Sequence, residues 1–69
     1  MQEFHLTSEY IELIKLLKIV GVAETGGHAK ILVDKGEVLL NGTPEFRKKA
    51  KLRAGDEVEV MGEKIKISK

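Results

Sequence analysis

The sequence predicts an α+β domain of 69 residues, with two N-terminal helices packed on a small, mainly antiparallel sheet of four or five strands. Three observations carry this expectation. Apolar residues recur at helical spacing from Tyr10 to Val20. A second helical stretch lies between Thr25 and Gly36. Beyond it the pattern becomes short and alternating, with an Asn41-Gly42 turn signal and the pairs Val58/Val60 and Ile65/Ile67.

The elements follow in order. Gln2 to Leu6 alternates, with Phe4 and Leu6 on one side, and reads as a short edge strand. Thr7 or Ser8 is the expected cap of the first helix, with Glu9 in its first turn and Tyr10, Leu13, Ile14, Leu17 and Val20 as its core stripe. Gly21 supplies a left-handed stop. Thr25 caps the second helix, which buries Ala29, Ile31, Leu32 and Val33 and carries Lys30 and Asp34 four apart on one face. Glu37 to Leu40 reads as a strand, Asn41-Gly42 as a two-residue hairpin turn, and Thr43-Pro44-Glu45 as an edge arm, since proline cannot donate to a ladder. Phe46 to Arg53 reads as an exposed loop of partial strand character, with Phe46 tucked beneath it. A final hairpin follows, turning at residues 61–64.

Composition narrows the function classes. There is no cysteine, so disulfides, thiolate chemistry and zinc ligation by sulfur are excluded. No apolar run approaches the ~20 residues of a membrane span, and the N-terminus lacks the layout of a secretion signal, so a cytoplasmic monomer is expected. Net charge is only +1, but it is unevenly spread: −2 over residues 1–29, +4 over 30–53 and −1 over 54–69. Such a concentration of cations attracts polyanions.

The candidate contacts lie in two places. Arg47, Lys48, Lys49, Lys51 and Arg53 form a dense basic run. Gly26, Gly27, His28 and Lys30 lie in the first turns of the second helix. Consecutive glycines there cost about 1 kcal/mol each relative to alanine. They either bare the helix-start amides to an anion or admit a close approach of the first helix; both readings stand at this point. No P-loop pattern is present, and Ser8 and Ser68 have no histidine-carboxylate partners near in sequence, so no enzyme activity, metal or cofactor is expected. An adaptor that offers an edge strand and a basic patch to another protein is the alternative function.

The ordered set Leu13, Leu16-Leu17, Gly21-Val22-Ala23, Ala29-Lys30, Leu32, Gly36, Val38, Asn41-Gly42, Leu52, Gly55-Asp56, Val58 and Val60 resembles the S-four-like RNA-binding domain, or αL RNA-binding motif. The resemblance covers residues 10–60 and is to the stand-alone bacterial small-protein type. It implies one non-catalytic RNA-binding domain over residues 1–69, with structured RNA, ribosomal or transfer RNA, as partner. It implies a contact face at the second helix's N-terminal turn and the loops of the following hairpin. At that turn many members carry S-R-x-E-A-R; here Thr25-Gly26-Gly27-His28-Ala29-Lys30 stands instead.

Overall fold

The structure is a computed structural model and describes residues 2–69. In chain order the elements are β1 (Gln2–His5), β2 (Ile11–Glu12), α1 (Leu13–Ile19), α2 (Gly26–Asp34), β3 (Val38–Leu40), β4 (Thr43–Pro44), β5 (Lys51–Leu52), β6 (Glu57–Val60) and β7 (Glu63–Ser68). Five strands form one sheet in the order β1-β7-β6-β3-β4, antiparallel except for the β1–β7 pair, while β2 and β5 form a separate two-residue ladder. The two helices pack on each other. Leu13, Leu16 and Leu17 of α1, Ala29, Leu32 and Val33 of α2, and Val38, Val58, Val60, Ile65 and Ile67 of the sheet share one core. Among the described residues no polar or charged side chain is buried, and no helix is long and apolar enough to cross a membrane.

The helix ends follow local chemistry. Thr25 caps α2 by accepting the His28 amide on its Oγ1 at 3.1 Å. Gly36 ends α2 with φ +72°, while its N–H donates to the Val33 carbonyl and the Glu37 N–H to that of Leu32. This is the double bond that closes a helix when the residue after the cap turns left-handed. Gly21 closes α1 in the same way.

The start of α1 differs from the sequence expectation. The helix begins at Leu13, not after Thr7 or Ser8, and Tyr10 lies outside it. Ser8 Oγ donates to the Tyr10 carbonyl, and Ile11–Glu12 run extended against Lys51–Leu52. The helix has no side-chain cap; the Leu13 and Ile14 amides donate to the carbonyls of Ala50 and Lys48 at 2.9 and 3.2 Å. A distant loop thus satisfies the orphan donors that a local serine would otherwise take. Two further expectations fail. Ile31 is 53% exposed, because Ala29, Leu32 and Val33 already fill the buried side of α2. Phe46 is 60% exposed and rests over Gly36, because Ala50 and Leu52 occupy the loop's inward positions.

Two tight turns join the sheet. Asn41 and Gly42 take φ +51° and +87°, as a turn with both central residues left-handed requires. Met61 and Gly62 take φ +51° and +78°, so the last hairpin turns in two residues and β7 already includes Glu63 and Lys64. A side-chain clamp braces the first turn. Asn41 Nδ2 donates to Asp56 Oδ1 at 3.1 Å, the Glu57 amide donates to Asn41 Oδ1 at 2.9 Å, and the Arg53 amide donates to Asp56 Oδ2 at 2.8 Å.

Candidate functional site

The candidate residues form two groups, one at the start of α2 and one in the basic loop, which Lys48 ties to the helix's other end. At its start, His28 donates its amide to Thr25, while the amides of Gly26 and Gly27 have no hydrogen-bond partner among the described residues. A Cβ built on Gly26 would meet nothing within 4 Å, and one on Gly27 only Thr25 Oγ1 at 3.8 Å. Close helix packing is therefore not what these glycines serve. They leave a bare, solvent-facing helix start. Lys30 is exposed one turn on, and Asp34 one turn further on the same side.

Asp34 does not pair with Lys30. Its Oδ1 binds Lys48 Nζ at 3.0 Å, which ties the basic loop to the far end of α2. Eight residues separate Gly26 from Asp34, about 12 Å along the axis. Lys48 is thus anchored at the end of α2 opposite Gly26 and Gly27, and the depression lined by the other loop cations includes no residue of α2.

Within the basic loop the cations are not equivalent. Arg47 donates from Nε and Nη2 to the two carboxylate oxygens of Glu45, each at 3.0 Å, and its own amide donates to the same group. The Arg47 side-chain bond, then its amide bond, hold the Glu45 carboxyl below its ordinary range; the same partner raises the Arg47 guanidinium. Arg47 and Lys48 are therefore each matched by an acid within the fold. Lys49, Lys51 and Arg53 have no ion-pair partner among the described residues. They line a shallow depression together with Arg47 and Ala50.

The sequence reading missed Tyr10. Placed by its spacing on the first helix, it instead stands beside the basic loop, 37% exposed. Lys51 Nζ lies over its ring 5.0 Å from the centroid, and Arg53 Cζ lies over it at 5.6 Å. Phe46 is thus not the only aromatic near the cations. No local signal marks the contact, because forty-one residues separate Tyr10 from Lys51.

The sheet's outer face carries no comparable excess. Glu57 stands across from Lys66 and Glu59 from Lys64, so opposite charges alternate over it. Ser68 Oγ lies 2.9 Å from His5 Nδ1, and His5 Nε2 lies 3.6 Å from Glu3 Oε1. This Ser-His-Glu set spans β1 and β7 on an open edge, with His5 and Glu3 more than half exposed, and 3.6 Å is too long for a hydrogen bond. In this arrangement Glu3 does not hold the imidazole by a hydrogen bond, and the open edge encloses no substrate. Among the described residues no group of His, Asp and Glu could hold a metal.

Two helices against a mixed sheet, an Asn-Gly turn clamped to a Gly-Asp turn, and a cationic loop backed by α1 define the αL-motif class of α+β domain. Comparison with known proteins agrees. The chain belongs to the S4 domain family, which matches residues 4–68. It is 38% identical over 58 residues to YbcJ of Escherichia coli (strain K12), covering 84% of this chain and 83% of that protein. It is 40% identical over 57 residues to the Bacillus subtilis (strain 168) protein named "Probable ribosome maturation protein RlbA", covering 83% of this chain and 80% of that one. The solution structure of YbcJ, described as revealing an αL motif involved in RNA binding, superposes with a TM-score of 0.76 at 36% identity, covering all of this chain and 89% of that one.

Proposed function

We propose that the chain is a non-catalytic RNA-binding domain that grips structured RNA through its phosphate backbone, with ribosomal or transfer RNA as the target. The observation that carries this reading is the depression lined by Lys49, Lys51 and Arg53, three cations that the fold leaves without an acidic partner. The unpartnered amides of Gly26 and Gly27, with His28 and Lys30 beside them, offer a second anion contact at the start of α2. Membership of the S4 domain family and the motif described for YbcJ support RNA as the polyanion. The name of the B. subtilis relative favours the ribosomal arm.

The chain has one tyrosine, two phenylalanines and no tryptophan, too few rings to stack a run of splayed bases. It therefore reads backbone and shape, not base sequence. The test is binding of nucleic-acid-free protein to a structured ribosomal RNA fragment, an RNA duplex and a matched DNA duplex across a salt series. Salt-steep binding that prefers the structured RNA is expected. Equal binding to all three would reduce the site to a generic cationic patch. No binding to any, together with a protein partner that survives nuclease, would replace this reading with the adaptor.

A further inference from the structure

We propose that Tyr10 is a positioning residue for this binding: its ring holds Lys51 and Arg53 as a paired clamp for the RNA phosphate backbone. The inference rests on the RNA-binding reading above and adds to it a residue, a geometry and a division of labour.

The β2–β5 ladder sets the arrangement. Ile11 pairs with Leu52 and Glu12 with Lys51. Strand side chains alternate, so Leu52 enters the core while Lys51 and Arg53 emerge on the other side. Carrying the register one residue further brings Tyr10 opposite Arg53 and diagonal to Lys51, the two positions from which a long side chain reaches an aromatic ring. Both cations lie over that ring. Glu12 stands directly across from Lys51, yet the two form no ion pair; the ammonium rests over the tyrosine instead. The tyrosine is itself anchored on both sides. Ser8 Oγ holds its carbonyl at 2.9 Å, and Ile11 begins the ladder.

A ring suits this task better than a carboxylate. A carboxylate would hold the cations by neutralising them, whereas the ring attracts a cation through its quadrupole and leaves the charge in place. An ammonium that rests one side on a ring still turns N–H donors outward. Guanidinium donors lie in the plane of the group, so a partner above or below that plane leaves its fork available to a phosphate. Two long side chains that would otherwise each lose rotamer freedom on binding are held near one another beforehand. Within the loop, Arg47 and Lys48 secure the backbone through Glu45 and Asp34, while Lys51 and Arg53 remain for the ligand.

The test combines binding to a structured ribosomal RNA fragment with proton NMR of the free protein. Tyr10→Phe keeps the ring and is expected to bind within about 2-fold of wild type. Tyr10→Leu removes the ring and is expected to weaken binding about 3- to 10-fold while the thermal transition persists. In a Lys51→Ala/Arg53→Ala background, Tyr10→Leu is expected to cost nothing more. The side-chain methylenes of Lys51 and Arg53 should show upfield ring-current shifts in wild type and Tyr10→Phe and lose them in Tyr10→Leu. Wild-type affinity in Tyr10→Leu would overturn the proposal. So would an equal loss in the double-alanine background, since the ring would then touch RNA itself. If Tyr10→Leu does not fold, Tyr10→Phe and Tyr10→Trp carry the test, and a loss beyond about 2-fold in either overturns it. A wild-type protein that binds no structured RNA would sink the functional reading first and the clamp with it. Retained ring-current shifts would then mark the geometry as real and the ligand as wrong.

Discussion

The sorting of cations into paired and unpaired sets makes a quantitative prediction. Each phosphate neutralised releases counterions, so log affinity falls with log salt by about 0.7 to 0.9 per contact, depending on strandedness. Lys30, Lys49, Lys51 and Arg53 are the candidate cations without an ion-pair partner among the described residues. If these engage, the wild-type slope is about −2.8 to −3.6, and affinity drops roughly 50- to 150-fold between 50 and 200 mM salt. The Lys49→Ala/Lys51→Ala/Arg53→Ala protein keeps one contact, so its slope shrinks to about −1 and the same salt step costs only about 3-fold. The control removes as much positive charge from the loop as a single-cation mutant but preserves net charge. Glu45→Gln with Arg47→Ala deletes an ion pair already closed within the protein and leaves the slope within about 0.3 of wild type. The assay is fluorescence anisotropy with a structured RNA at four or more salt concentrations, on variants whose circular dichroism matches wild type. A folded triple mutant with an unchanged slope would refute the mechanism. A Glu45/Arg47 variant that loses as much slope as Lys51→Ala alone would refute the sorting.

Three further predictions concern the scaffold. Asn41→Gly keeps the left-handed turn but loses two side-chain bonds and should cost about 1–2 kcal/mol; Asn41→Ala adds roughly 1 kcal/mol of left-handed strain. Urea unfolding of the pair separates the two causes, and equal midpoints would show that the backbone conformation contributes nothing. Met61 occupies a left-handed turn position without the short polar side chain that tolerates it, so Met61→Asn should raise stability by about 0.5–1 kcal/mol; a lower urea midpoint would contradict the turn geometry. The bond to Arg47 holds the Glu45 carboxyl below the ordinary carboxylate range in the folded protein, so it stabilises the fold above that range and is lost as pH falls through the lowered folded value. Glu45→Gln should therefore lack this part of the acid limb in thermal unfolding, and an acid limb identical to wild type would show that the pair adds no stability.

What was legible in the sequence was what local chemistry decides. Thr25 caps because it can accept an amide three residues ahead, and Gly36 stops the helix because its φ is positive. Asn41-Gly42 announces its turn by residue type alone, and the alternation of Val58, Val60, Ile65 and Ile67 fixes which face of the last hairpin enters the core. What was hidden depends on partners far along the chain. Tyr10, Leu13 and Leu17 share helical spacing, so Tyr10 looked like one more core residue, until a two-residue ladder to Lys51–Leu52 drew it out. The site shows the same division. The basic run was evident as composition, but Asp34 meets Lys48 across fourteen residues, and nothing local distinguishes Lys48 from Lys49. Glu45 lies only two residues from Arg47; that pairing was within reach of the sequence and was overlooked.

The basic loop has to reconcile two demands. Five cations in seven residues repel one another, and such a segment would ordinarily remain mobile, so each contact with RNA would carry the full cost of ordering it. The fold meets this through the backbone, which like charges do not oppose. Carbonyls of Lys48 and Ala50 accept the first amides of α1, the Ala50 amide closes back on Arg47, and Leu52 is fully buried in the core. The Arg53 amide is held by Asp56, which Asn41 holds in turn. The loop is therefore part of the helix cap and part of the turn clamp before any ligand arrives. Its side chains project from a fixed chain, so the crowding that would loosen a free loop becomes a standing local field. The same dependence predicts how the site fails. Leu52→Ala, which opens a cavity at the ladder, should disorder the cations and free the α1 amides together, and so lose RNA affinity and helix content in parallel; variants of Lys49, Lys51 or Arg53 should lose affinity alone. If Leu52→Ala kept full affinity while its helix signal fell, the claim that this backbone organises the site would be wrong.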